Sequence, residues 1–172
     1  MDKKIELKAT GETITFTKST VDVAEMLVTL NASGDGPPSH RHVLQTELFE
    51  AIEGCLGLDC GDKRIVLDPG QSFTVPANTL HRCYSVDGKE IKFKATFKPA
   101  LSIEYLLTEM FDACNRKQSK DPSVFDACYI LLQTKGEYYL GEVPQFIQQT
   151  FFPMIAFFGK LFGFVKAKPK TV

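Results

Sequence analysis

Three histidines are all this chain contains, and two of them, His40 and His42, stand two residues apart. In an extended chain residues i and i+2 project from the same face, so both imidazoles can reach one point in space, as a pincer on a metal ion would require. Glu47 lies five residues beyond His42. That odd offset sends its carboxylate to the opposite face of an unbroken strand, so a turn or bulge between them must reset the parity. The third histidine, His81, follows Gly70 and Pro76 in a second stretch of similar flavour, G-Q-S-F-T-V-P-A-N-T-L-H. Three imidazoles and one carboxylate make a metal-binding set, provided that the fold brings the two stretches together.

The rest of the first hundred residues reads as the scaffold for that meeting. Ile5 to Ser19 suggests two short strands bent at Gly11, with Ile14 and Phe16 alternating with threonines. Ala24 to Ala32 puts Met26, Val28 and Leu30 on one face and Leu27 and Thr29 on the other, which predicts a strand covered on both sides. Two glycines and Pro37-Pro38, within Ser33 to Ser39, then redirect the chain towards the histidine pair. Strands follow over Leu48 to Glu53, Cys55 to Cys60, Lys63 to Leu67, Gln71 to Val75 and His81 to Asp87, with turns at Gly61-Asp62, Asp68-Pro69-Gly70 and Asp87-Gly88. Ile91, Phe93, Ala95 and Phe97 should face inward while Lys92, Lys94, Thr96 and Lys98 face water. So many short strands punctuated by turns argue for an all-β core, an antiparallel barrel or double-sheet jelly roll.

The two histidine stretches resemble the paired motifs of the cupin superfamily. Gly34, His40, His42, Glu47 and Gly54 fit every fixed position of G-x5-H-x-H-x3-4-E-x6-G. Gly70, Pro76 and His81 fit G-x5-P-x-G-x2-H-x3-N, with Asn78 in place of the inner glycine and Ser85 in place of the final asparagine. Asparagine tolerates the left-handed backbone that glycine would supply, so the turn can survive the exchange. The resemblance, to small single-domain members of a bacterial type, covers Gly34 to Ser85. It implies a cupin-type barrel in which His40, His42, Glu47 and His81 bind one divalent transition metal, of which iron, manganese, zinc, nickel and copper all suit imidazole and carboxylate ligands. Met26, Phe49 and Phe73 are candidates to wall the cavity, and Cys83 and Ser85, at two-residue steps from His81, should share its inward face.

Beyond Pro99 the hydrophobic period changes from two to about 3.6. Ile103, Leu106, Leu107, Met110, Phe111 and Cys114 form one helical stripe, a second helix is predicted from an N-cap at Asp121 with Pro122 at its first position, and a third opens near Pro144 with a kink at Pro153. The expected organisation is therefore a barrel over residues 1–100 and a helical extension over 101–172, packed on the barrel or on a partner subunit rather than folding alone. The Phe-rich segment from Phe151 to Val165 is too short and interrupted to span a bilayer. Packing against the barrel or across a homodimer is expected of it, although phenylalanines beside Lys166, Lys168 and Lys170 also suit an interfacial membrane helix.

Composition excludes some functions and locations. A formal charge of -1, with no basic stripe interleaved with aromatics, argues against nucleic acid as a partner. The start lacks the apolar segment of a secretory signal, which makes the cytoplasm the expected location. Five cysteines without a C-x-x-C spacing read as buried, reduced thiols. Two functions remain. One is a metal-dependent enzyme on a small organic molecule, with dioxygenase-like chemistry ahead of isomerase or decarboxylase, and with Glu47 as a fourth ligand or a mobile base. The other is a non-catalytic binding or sensing module whose metal is structural or absent. Few inward positions are basic, which favours a partly apolar substrate over a sugar phosphate.

Overall fold

The computed structural model describes residues 2–32 and 36–170. Gly34, the first fixed residue of the histidine motif, lies outside the described residues. Ten strands precede the helices: β1 (Lys3–Leu7), β2 (Glu12–Ser19), β3 (Ala24–Leu30), β4 (His40–His42), β5 (Thr46–Glu53), β6 (Leu56–Cys60), β7 (Lys63–Leu67), β8 (Ser72–Val75), β9 (His81–Ser85) and β10 (Ile91–Lys98). Then come α1 (Ile103–Lys117), α2 (Val124–Gln133), an eleventh strand β11 (Tyr138–Leu140) and α3 (Gln145–Leu161). The strands form two sheets, ordered β1-β2-β3-β10-β5-β8 and β11-β4-β9-β6-β7. Every pairing described is antiparallel. The sheets stay separate rather than closing into a barrel, which is the jelly-roll form of the expected architecture.

Alternation decides which side chains fill the space between the sheets. Ala24, Met26, Val28 and Leu30 from β3 meet Ile91, Phe93, Ala95 and Phe97 from β10, and Phe49 and Val75 join them in one buried cluster. The solvent side of the larger sheet is held by ion pairs such as Lys94 to Glu25 at 2.8 Å and Lys92 to Glu53 at 2.7 Å. Two expectations need correction here. β3 is covered on one face only, Leu27 being exposed. Thr96, expected to face water, is buried, because it lies on the central strand with Leu48 on one side and Glu25 on the other.

At Gly54 the chain turns with φ of 74°, and a Cβ there would stand 2.7 Å from Ile91 Cγ2 and 2.9 Å from the Glu90 carbonyl oxygen. Only glycine meets both demands, a left-handed backbone and a close approach. The motif's last glycine is thus what lets β5 leave one sheet and β6 enter the other.

The helices attach through polar side chains as well as apolar ones. Asn115 of α1 accepts from Lys8 N at 2.9 Å and donates to Glu6 O at 2.7 Å, which ties the helix to the sheet edge at β1. The N-cap of α2 is Ser123, not Asp121, and Pro122 lies outside the helix: the Ser123 hydroxyl accepts from Asp126 N and donates to the Asp126 carboxylate, closing a reciprocal cap that Asp121 cannot reach. α3 runs from Gln145 to Leu161 as one element through Pro153. It lies against α2 with its small residues, Ala156 and Gly159, while most of its large apolar side chains stand in solvent rather than against the sheets. The cysteines are all free thiols, four of them buried.

Candidate metal centre

His40 and His42 come from β4 and His81 from β9, all on the smaller sheet, whereas Glu47 comes from β5 on the larger one. The parity problem posed by the five-residue offset is solved by the bend at Val43 and Leu44, which ends one strand and starts another in the facing sheet. The chain crosses from one sheet to the facing one at 43–45, so a side chain pointing inward from the second sheet meets those pointing inward from the first. His40 sits directly opposite His81 in the pairing of β4 with β9. The two motifs are also locked by Asn78, whose N–H donates to the His42 carbonyl at 2.6 Å and whose φ is 61°. That is the left-handed conformation for which asparagine can stand in for glycine.

One ligand atom from each of His40, His42, Glu47 and His81 falls within 4.8 Å of the others, and all four residues are buried. His81 Nε2 lies 2.9 Å and His42 Nε2 3.5 Å from Glu47 Oε2, and the Nε2 atoms of His40 and His42 are 3.2 Å apart. The outer ring nitrogens decide what these contacts mean. His40 Nδ1 faces the Pro38 carbonyl and His81 Nδ1 the Thr79 carbonyl, each at 2.8 Å. A carbonyl can only accept, so both Nδ1 atoms carry the proton. His42 Nδ1 faces Gln45 Oε1 at 3.1 Å, and Gln45 is oriented by its own amide donating to the Ala100 carbonyl. That chain of donors assigns the third Nδ1 proton as well.

With every Nδ1 proton spent outward, three Nε2 lone pairs and a carboxylate converge on one point. Two imidazole lone pairs at 3.2 Å repel one another unless a cation lies between them. The residues present thus fit a divalent transition metal, and carbonyl and amide acceptors behind the imidazoles are the kind of support such ligands usually have.

Protonation follows the same logic. Burial, with the neighbouring imidazoles His42 and His81, holds His40 well below the ordinary histidine range. Burial lowers His42 to about 4, against the pull of Glu47. At His81 burial also acts downward, but the bond to Glu47 and its charge outweigh it and the pKa rises. Two rings are therefore kept neutral and ready to ligate, while at the third a metal ion would compete with a proton for the Nε2 lone pair.

Around the ligands the structure sorts the expected cavity residues. Phe49 is buried with its ring 6.3 Å from that of His81, and Cys83 is buried behind it, its thiol pushed well up by burial and by the charge of Glu47. Phe73 is half-buried opposite Phe49 on β8. Met26 belongs to the core of β3, with β10 between it and the strand carrying Glu47. Ser85 leaves the inward face and donates to the Lys89 carbonyl at 2.7 Å, bracing the hairpin. Arg41 and Arg82 point outward as the alternation requires, Arg41 to Gln145 and Arg82 to Asp59 at 2.9 Å.

Three residues of the site escaped the sequence reading. Phe97 meets the His42 ring edge-on at 5.1 Å, and Gln45 is the orienting amide described above. The third, Tyr138, comes from beyond α2. β11 adds to the sheet edge at β4, pairing Tyr138 with His42 and Leu140 with His40. The Tyr138 ring stacks on that of His40 at 4.9 Å and 19° and meets His42 at 72°. Burial and the charge of Glu47 drive its hydroxyl pKa upward, so it remains a neutral donor. A three-residue strand carries too little periodicity to be seen in advance. The one available signal was the aromatic pair Tyr138-Tyr139 after a turn glycine, Gly136.

Residues 26–97 match the family model of the cupin domain, Cupin_2. Oxidoreductase OpS7 of Beauveria bassiana (strain ARSEF 2860) is 44% identical over 48 residues, which are 27% of this chain and 16% of that protein. Quercetin 2,3-dioxygenase of Bacillus subtilis (strain 168) is 35% identical over 68 residues, 40% of this chain and 20% of that protein. The chain thus aligns with a fifth or less of the length of these curated relatives. Among solved structures, that of KdgF from Halomonas sp. shares 19% identity, with 52% of this chain and 81% of that one covered at a TM-score of 0.47. The matched segment contains both histidine stretches and the strands that carry them, so residues 26–97 are what this chain shares with the cupin domain.

Proposed function

We propose that this protein is a metal-dependent enzyme acting on a small, partly apolar organic molecule, with His40, His42, Glu47 and His81 holding one divalent transition ion. The observation that supports the reading most directly is the convergence of three Nε2 lone pairs, each fixed by an acceptor behind its ring, on one carboxylate. When bound, such an ion supplies Lewis acidity and coordination positions left open by a four-residue set. The protein's own part is to position and to move protons. His40 and His42 stay neutral through burial. Glu47, at 2.9 Å from His81, can ligate or hold a proton at Oε2, the role of a general base. The rings of Phe49, Phe97 and Tyr138 pack around the imidazoles and exclude water, which strengthens every electrostatic contact within. Similarity to a quercetin 2,3-dioxygenase and to an oxidoreductase favours oxygenase-type chemistry over isomerisation or decarboxylation.

Elemental analysis of protein purified without chelators should find about one transition ion per chain. Iron(II)-loaded protein should then consume oxygen with an enolic or phenolic substrate, and His81→Ala should abolish both binding and uptake. Tight metal binding without turnover of any such compound would leave a ligand-binding module. Failure to bind metal at all would remove the enzyme reading.

A further inference from the structure

The chain is divided electrically in a way the metal centre does not use. All 21 acidic side chains and 16 of the 20 basic ones precede Gln145, which leaves the body at a formal charge of -5 and the stretch from Gln145 onward at +4, with no carboxylate side chain in it. That same stretch carries α3, whose packing is the reverse of an ordinary surface helix. Gln148, Ala156 and Gly159 are its buried residues, with Gly159 so close to Phe125 that a Cβ would lie 2.8 Å from that ring. The large apolar side chains face the other way: Phe157, Leu161 and Phe162 are each more than 60% exposed, and Phe146, Met154 and Phe158 continue the face along the helix. At roughly 100 Å² per half-exposed aromatic side chain, the face and the adjoining Phe164 amount to several hundred square ångströms. Seven such side chains come to about 700 Å², at the upper edge of the roughly 300–600 Å² of the largest patch on a typical monomer, which is itself often functional. Half-buried Phe152 and Ile155 complete the inner side, yet an outer face this apolar calls for an apolar cover.

We propose that this face is a docking surface for an anionic lipid bilayer, with α3 lying in the plane of the headgroups. No helix among the described residues is long and apolar enough to cross a membrane, so the contact is with one leaflet. Charge selects this occupant over a second copy of the chain. A two-fold contact brings the same patch to itself, and the ionised side chains of α3 and the stretch after it are all lysines. Lys160, in the last turn of the helix, lies over the Tyr129 ring of α2 at 4.7 Å, and Lys166 and Lys168 follow it, exposed, beyond the helix. Their backbone is held in place by the body: Asp126 accepts from Lys166 N at 2.7 Å and Glu109 from Lys168 N at 2.9 Å. The lysines thus follow the apolar helix on a segment whose backbone is fixed to the body. A negative surface satisfies both features at once, while the net charge of the body keeps its other faces away.

Flotation with vesicles tests this directly. The full chain should bind vesicles of phosphatidylcholine containing about one third phosphatidylglycerol roughly 30-fold more strongly than phosphatidylcholine alone, about fivefold for each of two freely exposed lysines. The preference should fade in about 0.5 M salt. Lys166→Glu with Lys168→Glu should erase the preference, and Phe157→Gln with Phe162→Gln should lower binding to both vesicles by about tenfold or more. All four side chains are exposed, so an unchanged thermal melt checks that the fold is intact. Absence of binding to anionic vesicles overturns the proposal, as does equal binding to both vesicle types. A stable dimer in sedimentation velocity that Phe157→Gln dissociates, without vesicle binding, overturns it in favour of a second copy as the occupant.

Discussion

Replacing Gln45 by leucine isolates the step on which the metal reading depends, the assignment of the His42 tautomer. Gln45 is 3% exposed, and its side chain makes two bonds, accepting from His42 Nδ1 at 3.1 Å and donating to the Ala100 carbonyl. Leucine keeps the volume and removes both. The Ala100 carbonyl retains Ile103 N at 3.2 Å, so the group stranded in the interior is the His42 N–H. Leaving one buried donor unpaired costs about 1–3 kcal/mol, a fall in melting temperature of roughly 2–12 °C for a chain of this size. At the centre itself the ring is free to move its proton to Nε2, and loss of such an orienting partner lowers metal affinity by about 10–100-fold. Competition titration with zinc(II) or manganese(II) against a chromophoric chelator measures the second effect, and a melt of the metal-free protein the first. Gln45→Glu separates them. A carboxylate still accepts from Nδ1 but cannot donate to Ala100, so this variant should be destabilised yet bind metal at least as well as the parent. A leucine variant with unchanged affinity, or a glutamate variant as impaired as leucine, would refute the tautomer argument and reduce Gln45 to a packing residue.

Other perturbations have equally definite signs. Because His42 falls from 6.5 to about 4 in the folded protein, the unfolded chain takes up a proton between those values that the folded one refuses; the metal-free protein should lose stability as pH drops through this window, by about 2 kcal/mol at pH 5 from this group, and denaturant titration of parent and His42→Gln measures the share. Glu12 behaves oppositely: burial raises it to about 7, so its ionisation costs stability as pH rises from 4.5 to 7, and Glu12→Gln should melt higher than the parent above pH 7 and equal to it below pH 4.5. We also propose that the helical extension belongs to the same folded unit as the sheets. Truncation after Ala100 removes α1 from the edge at β1 and Tyr138 from His40, so it should give an aggregating product with weakened metal binding, and a soluble monomer with unchanged melting temperature and affinity would separate the two parts.

Much of the centre was legible in the residues themselves. With only three histidines, a two-residue spacing and a matched glycine at each end, His40, His42, Glu47 and His81 could be singled out without coordinates. The strand run and the change of period after Pro99 followed from alternation, because burial on one face of a strand or a helix leaves a short-range imprint that a single stretch records. How Glu47 regains the histidines' side could not be read that way. Its answer is a crossing between sheets, and which sheet a strand joins depends on partners far along the chain. The same holds for Gln45 and Tyr138, whose neighbours at the site are the Ala100 carbonyl, 55 residues on, and imidazoles nearly a hundred residues back. Burial in α3 was the clearest departure. Its apolar content pointed inward, yet the contact with α2 selects for small residues, and that contact exists only once both helices are placed. Spacing along the chain thus determined the candidate ligand set, while the acceptors that orient it, the aromatic cover over it and the direction faced by the phenylalanines were decided by contacts between segments remote in sequence.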